Sequence, residues 1–372
     1  MTLGNIMRII LATGGSGGHI FPALQVAQQL TRMGHEVVFV GKFGVGLGQI
    51  ESNHYPFVSL SAKGFVRSPL KRCVESIVCM AWAIVESFGA LKKLRPNAVC
   101  GFGGYASFPV VLSAVLLRYP TVIHEQNVVP GRANKFLSKF VGKIAVTFPE
   151  TFLYLNPSKT VLTGCPCHAQ IKQSTKEQLA VQFQLDPYKV TILVLGGSQG
   201  SHRINSEFIK TTRLLQARLD FQVIHLCGKN DYSSLKEQYQ ETGLRFRLFD
   251  FLDDPGAAYQ MADVVVSRSG AVTVLEIAKF QVPAILIPYP LAGGHQRQNA
   301  KVLCQRGAAR MIEETDLTAK ALETALIEIL TQRPGKEEFR RNVESLVIPD
   351  AALRIAREIV SIYSCHCEPQ RL

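Results

Sequence analysis

The chain reads as an α/β protein made of two doubly wound parallel-sheet domains, and three observations predict it. Short apolar runs alternate along the whole length with amphipathic stretches of helix length, the pattern of parallel strands joined by crossover helices. A glycine-rich turn, Gly14-Gly15-Ser16-Gly17-Gly18, closes the first strand, and the design restarts at Val190 with Gly196-Gly197-Ser198-Gln199-Gly200. The 372 residues, 47% of them hydrophobic, are too many for one core and enough for two.

In the first half, Met7–Thr13 is an apolar strand that runs into the glycine turn. Pro22 suits the first turn of a helix that continues to Met33. Glu36–Gly41, Ala98–Gly103, Thr121–His124 and Lys143–Phe148 read as further strands, with helices at Leu70–Leu94, Phe108–Leu117 and Asn134–Val141. In the second half, Thr191–Leu195 is a strand and Ile204–Leu215 the helix after the turn. Strands follow at Gln222–Cys227, Arg245–Phe251, Val264–Ser267, Ala284–Ile287 and Ala309–Ile312. Pro157, Gly164 and Pro166 punctuate Asn156–His168, so the boundary is expected there, giving domains of residues 1–163 and 164–349. A last helix, Asp350–Tyr363, is expected to return to the first domain. In such sheets ligands bind outside the carboxyl ends of the strands, so the active site is expected in the cleft between two facing domains.

The net charge of +12 is unevenly placed. Residues 1–160 hold sixteen Lys and Arg against six Glu and no Asp, a balance of +10, and the rest of the chain adds only +2. The first half therefore meets something anionic: nucleic acid, a phosphorylated ligand or acidic lipid. Nine cysteines, an odd number without a repeating framework, fit a reducing cytoplasm. No secretory signal precedes the first strand. The most apolar stretch, Cys73 to Leu91, is broken by Glu75 and Glu86, too short an uncharged run to span a bilayer.

A glycine run between strand and helix lets backbone N–H groups approach an oxyanion, and the helix N-terminus adds a favourable dipole. Two such turns, one opening each half, suggest a phosphate-rich ligand. A dinucleotide fingerprint fails twice. Ile20 stands where the third glycine belongs, and the second strand ends in Gly41-Lys42 without the ribose-binding acid.

Six motifs carry a resemblance. Gly14 to Pro22, Gly103-Gly104-Tyr105-Ala106-Ser107 and His124-Glu125-Gln126-Asn127 are similar to the MurG family, the membrane-associated N-acetylglucosaminyltransferases of peptidoglycan synthesis. So are Gly196 to Gly200, Ser267-Arg268-Ser269-Gly270-Ala271 leading to Glu276, and Gly294-His295-Gln296-Arg297-Gln298-Asn299-Ala300. They run in the family's order from residue 14 to 300 and cover nearly the whole chain. The resemblance implies the GT-B architecture, two Rossmann-like domains across a cleft. It implies inverting transfer of N-acetylglucosamine from UDP-GlcNAc to the muramyl sugar of undecaprenyl-diphosphate-muramoyl-pentapeptide (lipid I), giving lipid II. It places the donor mainly on the C-terminal domain and the acceptor diphosphate on the N-terminal glycine loops. It also implies a peripheral protein on the cytoplasmic face of the bacterial inner membrane.

The resemblance assigns roles residue by residue. Ser16, Gly17, Gly18 and Tyr105 belong to the acceptor loops, and Asn127 meets the N-acetyl sugar. Ser198 donates to a diphosphate oxygen. Leu252 contacts uracil through its backbone, Glu276 accepts from both ribose hydroxyls, and Gln296 reaches the transferred sugar. Ala271, Val272, Thr273 and Val274 form a first helical turn whose free N–H groups meet the donor phosphates. Two positions depart from the pattern. His295 stands where some relatives carry Gln, and His168 follows Gly164-Cys165-Pro166-Cys167 where some carry Arg, a pH-dependent partner for phosphate. His19 is the candidate general base, because it ends the first glycine turn at a helix N-terminus and its unperturbed pKa lies near the operating range. A hydrogen bond from His19 to the acceptor diphosphate is its rival role, and His124 is a second candidate base.

Cys165-Pro166-Cys167-His168 and Cys365-His366-Cys367 do not match paired zinc-ligand spacing, and the chain lacks a D-x-D clamp, so neither metal nor cofactor is expected. Residues 70–94 are apolar around much of the helix, with Lys71-Arg72 before and Lys92-Lys93-Arg95 after. Such a stretch is either a core helix or a patch with a basic rim that sits on anionic lipid. Another UDP-sugar enzyme of the same architecture, a glycolipid glycosyltransferase or a UDP-GlcNAc 2-epimerase, is the alternative within enzymes. A nucleic-acid-binding protein is disfavoured because the basic residues lack interleaved aromatics.

Overall fold

A computed structural model describes residues 6–15, 17–43, 47–62, 70–167, 169–197, 200–291, 293–331 and 335–367, the side chains of 70–75, 336 and 365–367 excepted. The chain forms two compact units, Met1–Pro166 with Ile348–Leu372, and Cys167–Val347.

The first unit runs β1 (Arg8–Gly14), α1 (Gly17–Arg32), β2 (Glu36–Lys42), α2 (Leu47–Ser52), β3 (Phe57–Ser59), α3 (Leu70–Leu94), β4 (Ala98–Gly101) and α4 (Gly104–Leu116). It continues through β5 (Thr121–Glu125), α5 (Arg132–Leu137), β6 (Lys143–Val146) and β7 (Thr160–Leu162). The seven strands form one sheet in the order β3-β2-β1-β4-β5-β6-β7, every pair parallel. Both faces are covered, which is why the strands read as continuous apolar runs rather than alternating ones. Ile9, Leu11 and Cys100 pack under Ala23, Ala27 and Leu30 of α1, whereas Ile10, Ala12 and Val99 pack under Leu91 of α3 and Val110 of α4.

The second unit runs α6 (Lys176–Phe183), β8 (Val190–Leu195), α7 (His202–Leu215), β9 (Phe221–Leu226), α8 (Tyr232–Gln240), β10 (Phe246–Phe249), α9 (Gly256–Met261) and β11 (Val264–Ser267). Then come α10 (Ala271–Phe280), β12 (Ala284–Leu286), α11 (His295–Cys304), β13 (Ala309–Met311), α12 (Ala319–Thr331) and α13 (Lys336–Val343). Its sheet, order β10-β9-β8-β11-β12-β13, is also parallel throughout. The final helix, α14 (Ala351–Cys367), belongs to the first unit, where Ile355 and Ile359 complete the core under α1 and Lys143 of β6 is bonded to Glu358.

Several boundaries differ from the sequence reading. α1 opens at Gly17, so Pro22 lies in its second turn, where it supplies no N–H to the Gly18 carbonyl. α4 opens at Gly104, four residues before the expected Phe108, because the glycine pair itself starts the helix. β10 ends at Phe249, so Phe251 and Leu252 lie in the loop beyond the strand.

Strand order reverses between β1 and β4 in the first sheet and between β8 and β11 in the second. At such switch points the loops leaving the strands diverge to opposite faces and leave a crevice at the carboxyl ends. Both glycine turns, the start of α4 and the start of α10 lie at these points.

Candidate active site

In the first unit, Gly103 and Gly104 take φ of +82° and +74°, a conformation only glycine adopts without strain. A Cβ on either would lie 3.3–3.4 Å from the His19 ring, so the imidazole rests directly on this backbone. Gln126, buried at the end of β5, sets the ring's protonation. Its Nε2 donates to the Phe102 carbonyl at 2.8 Å, which turns Oε1 toward His19 Nδ1 at 3.2 Å. An amide oxygen only accepts, so in the neutral ring the proton toward Gln126 sits on Nδ1 and Nε2 is the basic nitrogen. Nε2 lies beside Gly104, at the N-terminal turn of α4. Burial lowers the His19 pKa below 6.5, while the charge of Glu125 and the bonds to Gln126 and Phe102 pull it partly back.

The loop after β5 is organised by Glu125, whose buried carboxylate accepts from the Asn127 backbone (2.9 Å), Asn127 Nδ2 (3.1 Å), Gly131 N (3.0 Å) and Asn134 Nδ2 (2.8 Å). The Tyr105 ring approaches Gly15, with Cε1 3.4 Å from where a Cβ there would project. Gly17 and Gly18 open α1 with amides that no preceding helical carbonyl can reach.

His124 corrects the second candidate for the base. It is fully buried, and its Nε2 donates to the Gly164 carbonyl at 2.9 Å. Burial drives its pKa down to about 4, against the raising effect of that bond and with a smaller lowering from His19. A ring without surface exposure does not reach a substrate hydroxyl; it ties β5 to the segment leaving β7.

In the second unit, Gly200 takes φ of +77°, and a Cβ there would sit 2.1 Å from the Cys227 carbonyl oxygen, so only glycine lets the turn close against β9. Ser201 caps α7 and receives a bond from Arg268 Nη2 at 2.8 Å. Arg268, nearly buried, also donates to the Ile287 and Pro288 carbonyls, pairs with Glu314 and lies over the Tyr289 ring at 5.2 Å. One guanidinium thus ties the glycine turn to the loop after β12.

α10 has Gly270 at its N-cap and no side-chain cap, so the amides of Ala271, Val272 and Thr273 have no helical acceptor. Val274 corrects the expected set: its amide donates to the Gly270 carbonyl at 3.0 Å, closing the first helical bond, and its side chain is core. Glu276, two residues further on, is 7% exposed. Its Oε1 accepts from the Ala169 amide at 3.3 Å and its Oε2 from the Tyr259 hydroxyl at 3.1 Å. Burial raises its pKa to about 7, against the lowering by these bonds and by Lys279. Gln296, in the first turn of α11, accepts through Oε1 from the Tyr289 amide at 2.9 Å, while its carbonyl accepts from Ser269 Oγ at 2.8 Å. Leu252 is half-buried in the loop before α9. Ser16, His168 and Ser198 lie outside the described residues.

Each unit therefore places a glycine turn and a helix N-terminus at its own switch point, whereas Asn127 follows β5, Leu252 follows β10 and Gln296 follows β12. Gln126, Glu125, Arg268, Tyr259 and the Ala169 amide were not singled out in the sequence. The first three lie inside the quoted motifs, which was the available signal. Nothing in the sequence pointed to the other two.

The glycosyltransferase family 28 N-terminal domain matches residues 9–146 and the glycosyltransferase family 28 C-terminal domain residues 191–355. A relative from Thermodesulfovibrio yellowstonii, named UDP-N-acetylglucosamine–N-acetylmuramyl-(pentapeptide) pyrophosphoryl-undecaprenol N-acetylglucosamine transferase, is 38% identical over 343 residues, covering 91% of this chain and 93% of its own. The Bacillus subtilis protein of the same name is 34% identical, covering 94% and 98%. Among solved structures, Acinetobacter baumannii MurG superposes with a TM-score of 0.73 at 27% identity over 95% of this chain and 99% of that one. By sequence along nearly its full length and by its pair of domains, the chain belongs to the UDP-N-acetylglucosamine–N-acetylmuramyl-(pentapeptide) pyrophosphoryl-undecaprenol N-acetylglucosamine transferases, the MurG family.

Proposed function

We propose that the chain transfers N-acetylglucosamine from UDP-GlcNAc to the muramyl sugar of undecaprenyl-diphosphate-muramoyl-pentapeptide, giving lipid II with inversion at the anomeric carbon. The observation that carries this reading is His19, set on the glycine backbone of Gly103 and Gly104 with Nδ1 turned to Gln126 and Nε2 as its basic nitrogen. In the reaction Nε2 takes the proton from the acceptor hydroxyl as that oxygen attacks the anomeric carbon and UDP leaves from the opposite face. The lowered pKa keeps the imidazole neutral, as a base must be. Gly17, Gly18 and Tyr105, with Ser16, hold the acceptor diphosphate, and Asn127, braced by Glu125, meets the N-acetyl sugar.

On the second unit, the Ala271, Val272 and Thr273 amides at the start of α10, with Ser198, stabilise the charge that grows on the leaving diphosphate. Glu276 accepts from the ribose hydroxyls, the Leu252 backbone contacts uracil, and Gln296 donates through Nε2 to the transferred sugar. His168 supplies a donor contact that varies with pH. No metal enters this scheme: helix amides and side-chain donors carry the leaving-group charge.

The acceptor is lipid-linked, and α3 offers the surface for it. Ile77, Val78, Trp82 and Val85 lie at helical spacing and are each more than half exposed, on the solvent side of a helix whose Ala83, Ser87 and Leu91 face the core. Lys92 and Lys93 follow on the same helix. Among the described residues no helix is long and apolar enough to cross a membrane. The stripe and its basic rim rest on anionic lipid at the cytoplasmic face of the membrane.

The test is incubation of the protein with labelled UDP-GlcNAc and a panel of lipid-linked acceptors. Label should move to the muramyl diphosphate lipid and to no diacylglycerol or free sugar. Loss of label from UDP-GlcNAc without a lipid product, or epimerised donor, would replace this reading with another UDP-sugar chemistry.

A further inference from the structure

Glu276 is an unusual hydroxyl-binding group, because it is a nearly buried carboxylate. Tyr259 of α9 is fully buried, stacked on Phe280 with ring centroids 5.1 Å apart and planes 9° apart. A phenol this deep needs a partner for its hydroxyl, and it has one, Glu276 Oε2 at 3.1 Å. The Ala169 amide takes the other oxygen, and Lys279 fixes that segment by donating to the Ala169 carbonyl at 2.7 Å. A carboxylate has about four lone-pair positions, so two remain for a ligand.

We propose that Tyr259 is a positioning residue for nucleoside recognition: its hydroxyl keeps the Glu276 carboxylate charged and turned so that the two remaining lone pairs meet the vicinal hydroxyls of a ribose. The inference rests on the donor reading above and deepens it. The ring does not touch the ligand; it acts through Glu276.

The electrostatics agree with the geometry. Burial pushes Glu276 up to about 7, and the Ala169 amide, the Tyr259 hydroxyl and Lys279 pull it down, while Asp254 pushes it up. Cys167, from the segment packed on the carboxylate, is itself pushed up to about 12 by burial and by Glu276, so it stays a neutral thiol. Tyr259 is likewise held well above 10 and stays a donor. Of the other elements packed on α10, the turn Glu344–Leu346 turns its Glu344 to solvent, and Arg297 of α11 is paired with Glu313. Removing one O–H donor to a carboxylate raises its pKa, because the bond favours the charged form.

Only the ionised carboxylate accepts from both hydroxyls. UDP affinity of the wild-type chain therefore falls as pH drops through about 7. Tyr259→Phe keeps the stacked ring and removes the hydroxyl. It moves that fall upward by about one pH unit, a tenfold change in the ionisation equilibrium. UDP binding is then roughly fivefold weaker at pH 7 and unchanged at pH 9.

The experiment is calorimetric titration of the full chain with UDP and with 2′-deoxy-UDP between pH 5.5 and 9. Wild type, Tyr259→Phe, Glu276→Gln and the double variant are compared, each checked for cooperative melting. The expected result is an upward-shifted pH curve for Tyr259→Phe that vanishes in the Glu276→Gln background, with kcat at saturating donor unchanged. A Tyr259→Phe curve that overlays the wild type, or one weakened equally at every pH, overturns the positioning role. If Glu276→Gln binds UDP as wild type does and 2′-deoxy-UDP binds equally well, the ribose assignment fails and takes the inference with it.

Discussion

Acidification should destabilise the first unit through one buried imidazole. His124 has no exposed surface, donates its single N–H to the Gly164 carbonyl, and stays neutral down to about pH 4. In the unfolded chain a histidine titrates near 6.5, so the unfolded state binds one more proton everywhere between those values. Stability then falls as pH drops, by about 1.36 kcal/mol per unit for one proton. From pH 7.5 to 5.0 the loss is about 2 kcal/mol, and it approaches about 3.4 kcal/mol only below pH 4. A unit of this size has a urea slope of roughly 2 kcal/mol/M, so the midpoint should move by about 1 M between pH 7.5 and 5.0.

Trp82, the single tryptophan of the chain, lies on α3 in the same unit and reports its unfolding by fluorescence. The perturbation is His124→Gln, which keeps an N–H donor for Gly164 and does not titrate. Other acid-sensitive groups act on both proteins alike and cancel in the comparison. The variant should be less stable at pH 7.5 from imperfect packing, yet lose about 2 kcal/mol less than wild type on going to pH 5.0. Parallel stability curves for the two proteins would refute the buried-neutral account. The variant should also keep the acidic limb of the pH–rate profile, since His124 is not the base.

Three further outcomes follow from the same geometry. His19→Ala should lose roughly 10²–10⁴ in kcat with saturating substrates, and the acidic limb, with a midpoint below 6.5, should disappear; a retained limb with only a higher acceptor KM would leave His19 a binding group. Glu276→Gln should remove an alkaline loss of stability. The folded pKa of about 7 exceeds the unfolded 4.5, so the stability present below 4.5 is lost as pH rises through 7. The loss amounts to up to about 3.4 kcal/mol, and melting at pH 5 and pH 8 should show the drop in wild type only. Anionic vesicles should sediment the protein at low salt and release it at high salt, and replacing Trp82 and Val85 by Ser or Lys92 and Lys93 by Gln should weaken that binding while sparing transfer to a soluble acceptor analogue; no sedimentation of wild type at low salt would end the membrane assignment of α3.

The sequence by itself determined the class of fold, the two glycine turns and the family. Both sheets are covered on both faces, so their strands appear as uninterrupted apolar runs, and glycines with positive φ serve the sharp turns after β1, β4 and β8. These are local demands, written in consecutive residues. Short or half-exposed pieces such as β3 and β7, three residues each, carry too little local signal to be read. What only the tertiary structure decided is which polar groups face a ligand and in what charge state. His19 and His124 both stand just beyond a strand or at its end in the chain, yet one rests on the Gly103–Gly104 backbone and the other is fully buried against the Gly164 carbonyl. The tautomer of His19 follows from a glutamine more than a hundred positions away, whose own orientation depends on the Phe102 carbonyl. Glu276 likewise owes its raised pKa to burial, against which Ala169 and Tyr259, brought to it by packing, pull it down. Desolvation and hydrogen bonding act through space, and proximity in space is the property that a linear pattern of residues does not contain.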